Sequence, residues 1–219
     1  MAATTVKRPK LSNFAALLHQ LGDVPLERIR MEAPPGAATE KDVLALREGP
    51  ERRLCELVDG VLVEKTVGTP EALLATILGR LLGNFVEEEK LGLVLGADGT
   101  LRLFPGQVRI PDVSFISWER LPDDELPKEA IASVAPNLAV EVLSPGNTKA
   151  EMERKRRDYF LAGVELVWEV DPKTQTAKSY TSPEDVQRIG KTGSLDGGAV
   201  LPGFRLPLKQ LFARTKRQR

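Results

Sequence analysis

The chain has 219 residues, enough for one sizeable core. Its 31 basic and 31 acidic side chains cancel, so no global field recruits a polyanion, and such a partner must be held by a local patch. A single cysteine, Cys55, excludes an internal disulfide and a cysteine-ligated zinc site, and no apolar stretch reaches membrane-spanning length or forms a signal-peptide core, so the expected setting is cytoplasmic with no membrane partner.

Residues 1–50 read as an N-terminal arm or linker. Pro25, Pro34, Pro35, Pro50 and the Gly36-Ala37-Ala38 run break every periodic pattern, and only Phe14–Leu21 has the spacing of a short amphipathic helix. The only histidine, His19, lies there beside Leu17 and Leu18 and reads as helix surface. From residue 51 to 212 the pattern is that of one domain. CELVDGVLVE is a hairpin, two apolar runs around Asp59-Gly60. Thr69 as N-cap and Pro70 in the first turn open a long amphipathic helix carrying Leu73, Leu74, Ile77, Leu78, Leu81, Leu82 and Phe85 at helical spacing. Three strand candidates at 91–95, 101–104 and 108–116 follow and predict an antiparallel meander. Residues 118–135 are a polar connection over the sheet, with room for one helical turn at 128–133.

The apolar runs 138–143 and 164–170 flank a basic helix over 149–163, which predicts a β-α-β unit with parallel strands inside a mixed sheet. A further strand is expected at Thr176–Tyr180, residues 197–212 close the domain, and 213–219 form a basic tail. Cys55, in the first apolar run, reads as a small buried apolar residue.

Two acids stand out against this background. RIPDVSFI puts Asp112 at the head of one strand and LAVEVLSP puts Glu141 inside the next. A carboxylate in an apolar strand is costly to desolvate unless a cation sits beside it, and a metal ion is one partner able to hold two such groups together. On their own, the Pro111-Asp112 pair also fits turn chemistry and Glu141 also fits a cross-sheet arginine partner. In the helix cluster Arg154, Lys155, Arg156 and Arg157, most side chains fit a solvated face. Lys155 is singled out because Met152 three residues before and Tyr159 four after share its face. Phosphodiester hydrolysis needs an activated water, oxygen ligands for a hard cation and a positive charge near the attacked phosphate. Asp112 and Glu141, with a backbone carbonyl most simply that of Val142, supply the ligands; Lys155 supplies the charge; Tyr159 and Arg154 are the candidate substrate contacts. Magnesium or manganese suits such a donor set.

The order CELVDGVLVE, TPEALLATILGRLLGNFVEE, RIPDVSFI, APNLAVEVLSPGNTKAEMERKRRDYFLAGVELVWEVDP and LPGFRLPLKQLF resembles the Uma2 putative restriction endonuclease family, a branch of the PD-(D/E)XK nuclease superfamily, over roughly residues 50–212. The resemblance implies an α/β restriction-endonuclease-like core with a central mixed β-sheet flanked by helices. It implies that Asp112 and Glu141 match the acidic metal ligands, Lys155 the helix lysine, and Glu56 an acidic position in the hairpin. Two departures stand out. The superfamily lysine two residues after the glutamate is Leu143 here, a swap the family also makes, and the histidine carried near the start of the long helix is absent around Ala72. The expected activity is metal-dependent DNA endonuclease, as a homodimer because two symmetric copies cut two strands. The alternative is a nuclease-fold module that binds DNA or protein without cutting. Five percent aromatic residues do not favour single-strand binding by base stacking.

Overall fold

The computed structural model describes residues 13–66 and 68–215, so the last four residues of the expected basic tail lie outside it. A central six-stranded mixed sheet and a five-stranded antiparallel sheet share the chain, with helices packed on both. The elements run α1 (Phe14–Leu21), β1 (Ile29–Arg30), α2 (Glu40–Glu48), β2 (Cys55–Val58), β3 (Val61–Glu64), α3 (Thr69–Glu88), β4 (Gly92–Leu95), β5 (Leu101–Phe104), β6 (Gln107–Arg109) and β7 (Val113–Ser117). They continue with β8 (Leu138–Val142), α4 (Lys149–Leu161), β9 (Leu166–Asp171), β10 (Thr176–Tyr180), β11 (Val186–Ile189), β12 (Ser194–Asp196), β13 (Arg205–Pro207) and α5 (Leu208–Ala213). No helix among the described residues is long and apolar enough to cross a membrane.

The hairpin forms as its sequence dictates: Asp59 and Gly60 take φ of 51° and 79°, the two positive values that a type I′ turn requires. A side chain at Gly60 is excluded as well, because a Cβ there would meet the Gly36 carbonyl oxygen at 2.5 Å. The long helix starts as expected, but Gly68, not Thr69, holds the cap position, and no side chain caps it. β8, α4 and β9 form the expected parallel unit, with Leu138 beside Leu166 and Glu141 beside Glu169.

The meander does not form. β4 pairs with β7 in the six-stranded sheet, whereas β5 pairs with β6 in the five-stranded one. The run expected as one strand over 108–116 is divided at Ile110-Pro111-Asp112, because Pro111 has no N–H to give to a ladder and the chain passes from one sheet to the other there. The 128–133 segment makes no helical turn either. Ile131, Ala132 and Val134 are instead buried with Leu101 and Ile116 beneath the loop.

Residues 13–50, read from sequence as an arm, supply α1, β1 and α2 to the five-stranded sheet. β1 pairs with β3; Leu17, Leu21, Val24 and Ile29 pack on Val58, Val61 and Val63; Val43 packs with Cys55, Leu57 and Leu62 on the opposite face. Prolines here mark the ends of elements too short to show a period.

The two faces of the six-stranded sheet differ. Leu138, Val140 and Val142 of β8 and Leu166, Trp168 and Val170 of β9 join Leu74, Leu78 and Leu82 of α3 and Leu208 and Leu211 of α5 in the main apolar core. Each of these leucines contributes about 1.5–3 kcal/mol by leaving water. Strand alternation sends Ala139, Glu141, Val167 and Glu169 to the other face, against α4.

Candidate active site

The helix over the charged face is unusual in its stripe. The residues of α4 buried at helical spacing are Glu151, Met152, Lys155, Asp158 and Tyr159, so its inward side carries three charges where an apolar ridge is normal. Thr148 caps the helix by accepting from the Glu151 N–H at 3.0 Å. Its start is pinned by residues 13–50. Gly22, with φ of 85°, sits so close that a Cβ would meet Glu151 Cα at 2.5 Å. The buried Arg28 donates twice to the Glu151 carboxylate, at 2.7 and 2.8 Å, and also to the carbonyls of Glu64 (2.8 Å) and Gly146 (3.0 Å). One guanidinium thus ties the end of the hairpin, the 143–148 loop and α4 together. Ser144 in that loop donates to Thr66 at 2.8 Å.

The two acids singled out from sequence meet on this face. β7 and β8 are antiparallel with Val113 opposite Val140, so one step further along the register Asp112 faces Glu141, and the Asp112 N–H donates to the Val140 carbonyl at 2.9 Å. Side chains so paired lie on the same face with Cβ atoms about 5 Å apart. Asp112 reaches this place because it is the first residue after the crossing between sheets.

Lys155 joins them: its Nζ lies 3.1 and 3.2 Å from the two Glu141 oxygens and 3.1 Å from Glu56 Oε1. The Tyr159 hydroxyl donates to Glu141. Glu56, reaching over from β2, accepts from Arg109 Nη1 at 2.7 Å and from the Ile110 N–H at 3.1 Å. The Val142 N–H donates to Asp112 Oδ2 at 2.6 Å, so the contact made there is through the N–H, whereas the expected ligand was the carbonyl. Arg154 is not brought there. Its guanidinium is held by Asp59 (2.8 Å), Asp158 (2.9 Å) and the Gln20 carbonyl (2.9 Å), a brace between α4, the hairpin and α1. Tyr159 is fully buried, which places it behind Glu141 and away from any substrate surface.

Three participants escaped the sequence reading. Lys65 Nζ lies 2.9 Å from Asp112 Oδ1. Arg109 lies between Glu56 and Asp158, with Gln107 donating to Asp158 at 2.6 Å. Glu169, beside Glu141, is balanced by Arg156 at 2.8 Å, Lys178 at 3.3 Å and the Tyr180 hydroxyl at 3.1 Å. Arg109 in QVRIPDV and Glu169 in LVWEVD carry the signal that marked Glu141, a charge inside an apolar run.

The electrostatics follow from burial. Glu141 is pushed up to about 7 by desolvation, which Lys155 only partly offsets and which the nearby Asp112 and Glu56 carboxylates reinforce. Burial opposes ionisation of Glu56 too, yet Lys155, Arg109 and the Ile110 N–H together bring it down to about 2. Burial works against the Lys155 ammonium, but Glu141 and Glu56 raise its pKa above the ordinary value, so it is charged at neutral pH. Burial, then the Glu141 carboxylate, raises the Tyr159 hydroxyl well above its usual value and keeps it a donor. The cluster opens to solvent at Asp112, whose side chain is 15% exposed against 6% for Glu141 and 1% for Glu56. Burial raises the Cys55 thiol to about 12, so it is inert packing, and His19 is a surface residue 3.6 Å from Asp23.

Among the described residues no cluster of three or more His, Cys, Asp or Glu side chains is arranged to hold a metal. The donor set nevertheless fits a hard divalent cation in kind. It offers two facing carboxylates with no imidazole or thiolate, and magnesium is commonly held by one or two carboxylates with water and phosphate completing its shell.

A solved structure described as a putative nuclease belonging to DUF820 from Anabaena variabilis ATCC 29413 superposes with a TM-score of 0.64 at 16% identity, covering 77% of this chain and 94% of that one. At that identity the likeness is one of fold. No curated protein matches the chain. The model of the Uma2 family, described as a putative restriction endonuclease, matches residues 41–209, and the chain belongs to that family.

Proposed function

We propose that the protein is a metal-dependent DNA endonuclease that hydrolyses phosphodiester bonds at the Asp112–Glu141 pair. The observation that carries this reading is the meeting of two carboxylates from adjacent strands with a buried lysine from the following helix, the three groups the reaction requires. The family and the shared fold support a nuclease; the donor chemistry supports magnesium or manganese.

In this reading Asp112, Glu141 and a backbone oxygen near Val142 hold the cation. When bound, it withdraws charge from a phosphoryl oxygen and makes a water more acidic. The chain's own residues do the rest. Lys155 carries a charge that offsets the negative charge growing on the attacked phosphate. Glu56 keeps that lysine ionised and aimed at Glu141, and Arg109 in turn fixes Glu56. Tyr159 holds one Glu141 oxygen as a positioning residue. Arg154 acts at a distance, by bracing α4. A fold with no disulfide suits the cytoplasm, and twofold pairing of two copies supplies the second cut in a duplex.

A second reading has its own support: both carboxylates are already matched by ammonium groups, Asp112 by Lys65 and Glu141 by Lys155, as in a nuclease fold kept for binding alone. Cleavage of supercoiled and linear DNA in Mg²⁺ or Mn²⁺, beside Glu141→Ala and Lys155→Ala, separates the two. Cleavage by the parent, lost in both variants, is the expected result. A parent that binds DNA but leaves it intact under every metal condition moves the assignment to the binding module.

A further inference from the structure

Lys65 is the first residue beyond β3, where its N–H still extends the hairpin by donating to the Leu54 carbonyl at 2.8 Å. Its side chain is only 6% exposed, which is costly for an ammonium unless every proton is used. Here they are all used. Nζ donates to the carbonyls of Ile110 (2.8 Å) and Ala97 (3.0 Å) and lies 2.9 Å from Asp112 Oδ1. The same amine therefore fixes the crossing between the two sheets, the turn after β4 and the carboxylate that follows the crossing. Asp112 is held at both oxygens, Oδ1 by Lys65 and Oδ2 by the Val142 N–H.

We propose that Lys65 is a positioning residue of the nuclease site, the resident counter-ion of Asp112. It aims the carboxylate toward Glu141, and its charge keeps the affinity of the bare protein for a divalent cation low. This rests on the nuclease reading and adds a property to it. A cation that takes an Asp112 oxygen must either share that carboxylate with an ammonium at 2.9 Å or displace a group anchored by two further hydrogen bonds. Both routes weaken binding. A phosphate arriving at the site brings negative charge of its own and relieves that repulsion, so cation and nucleic acid reinforce each other's binding.

The test is a Mn²⁺ titration of DNA-free protein followed by calorimetry, on the parent and on Lys65→Met. The variant has similar length and no charge. The expected result is binding about tenfold tighter in the variant, a direction that damage to the fold does not produce. Equal or weaker Mn²⁺ binding by a folded Lys65→Met protein overturns the proposal while leaving the nuclease reading intact. Absence of Mn²⁺ binding by both proteins, with and without duplex DNA, overturns both. If the variant does not fold, ¹⁵N-lysine NMR of the parent decides: the Lys65 ammonium signal is expected to move on Mg²⁺ addition. A Lys155 signal that moves while Lys65 stays fixed overturns the proposal.

Discussion

The two faces of the six-stranded sheet are made from different materials. Toward α3 and α5, β8 and β9 present Leu138, Val140, Val142, Leu166, Trp168 and Val170, which join one large apolar cluster. Toward α4 the same two strands present Glu141 and Glu169, answered by Lys155, Arg156 and Tyr159. The first face gains free energy from area removed from water and carries no group that titrates. On the second face each charge is tolerated only because a partner lies within hydrogen-bond distance, and an apolar replacement of similar volume would hold the strands together as well or better. A fold that keeps such a face gains no stability from it over an apolar one.

The widest separation of the two faces is expected in activity. Asp112→Ala and Glu141→Ala abolish metal-dependent cleavage, and Lys155→Met lowers the rate by about 10²–10⁴-fold, whereas Leu78→Ala leaves the rate of the folded protein near that of the parent; plasmid nicking measures all four. In stability, the largest loss on the charged face is expected from Arg109→Ala, which removes the buried cation that Glu56 and Asp158 share and costs about 3–5 kcal/mol in urea unfolding. Leu78→Ala on the apolar face costs about 2–5 kcal/mol, and its Mn²⁺ affinity stays unchanged.

Protonation sharpens the contrast further. The folded pKa of Glu141 lies near 7, above the ordinary 4.5, so between those values the folded state holds a proton that the unfolded state has lost. Its contribution to stability therefore declines as pH rises through that window. Glu56, lowered to about 2, works the other way: its stabilisation is complete above the ordinary carboxylate pKa and is lost as pH falls from there toward 2. Glu141→Gln is accordingly expected to flatten the urea stability profile between about pH 5 and 8. In the parent, Mn²⁺ affinity falls as pH drops below about 7, because the cation must displace the Glu141 proton. At the small end, His19→Ala changes stability by no more than about 0.5 kcal/mol.

How much of this was legible beforehand follows the same division. The apolar face was readable: the leucines of α3, the Asp59-Gly60 turn and the β8-α4-β9 unit all show through period or turn chemistry. Glu141 and Lys155 were readable as charges out of place, and Asp112 as an acid heading a strand. Their surroundings were harder to see because they come from distant elements with no local signature. Arg28 lies 123 residues before the Glu151 that it clamps, and Lys65 lies 45 before the Ile110 carbonyl it bonds. Arg154 misled because helical spacing tells which residues share a face, not which partner waits there; Asp59 and Asp158 claim it. The division of 108–116 between two sheets was invisible for a related reason. Pro111 marks a break in pairing, but only the packed structure tells that the next strand belongs to another sheet.

Glu141→Gln, assayed for both cleavage and melting temperature at about pH 8, tests the central claim most directly. The account predicts cleavage lost with a smaller fall in melting temperature than Leu78→Ala produces, since Glu56 still pairs with Lys155 and the side chain keeps its shape. Cleavage retained, or a melting temperature that drops as far as that of Leu78→Ala, would mean that the charged face holds the fold together and does not carry the chemistry.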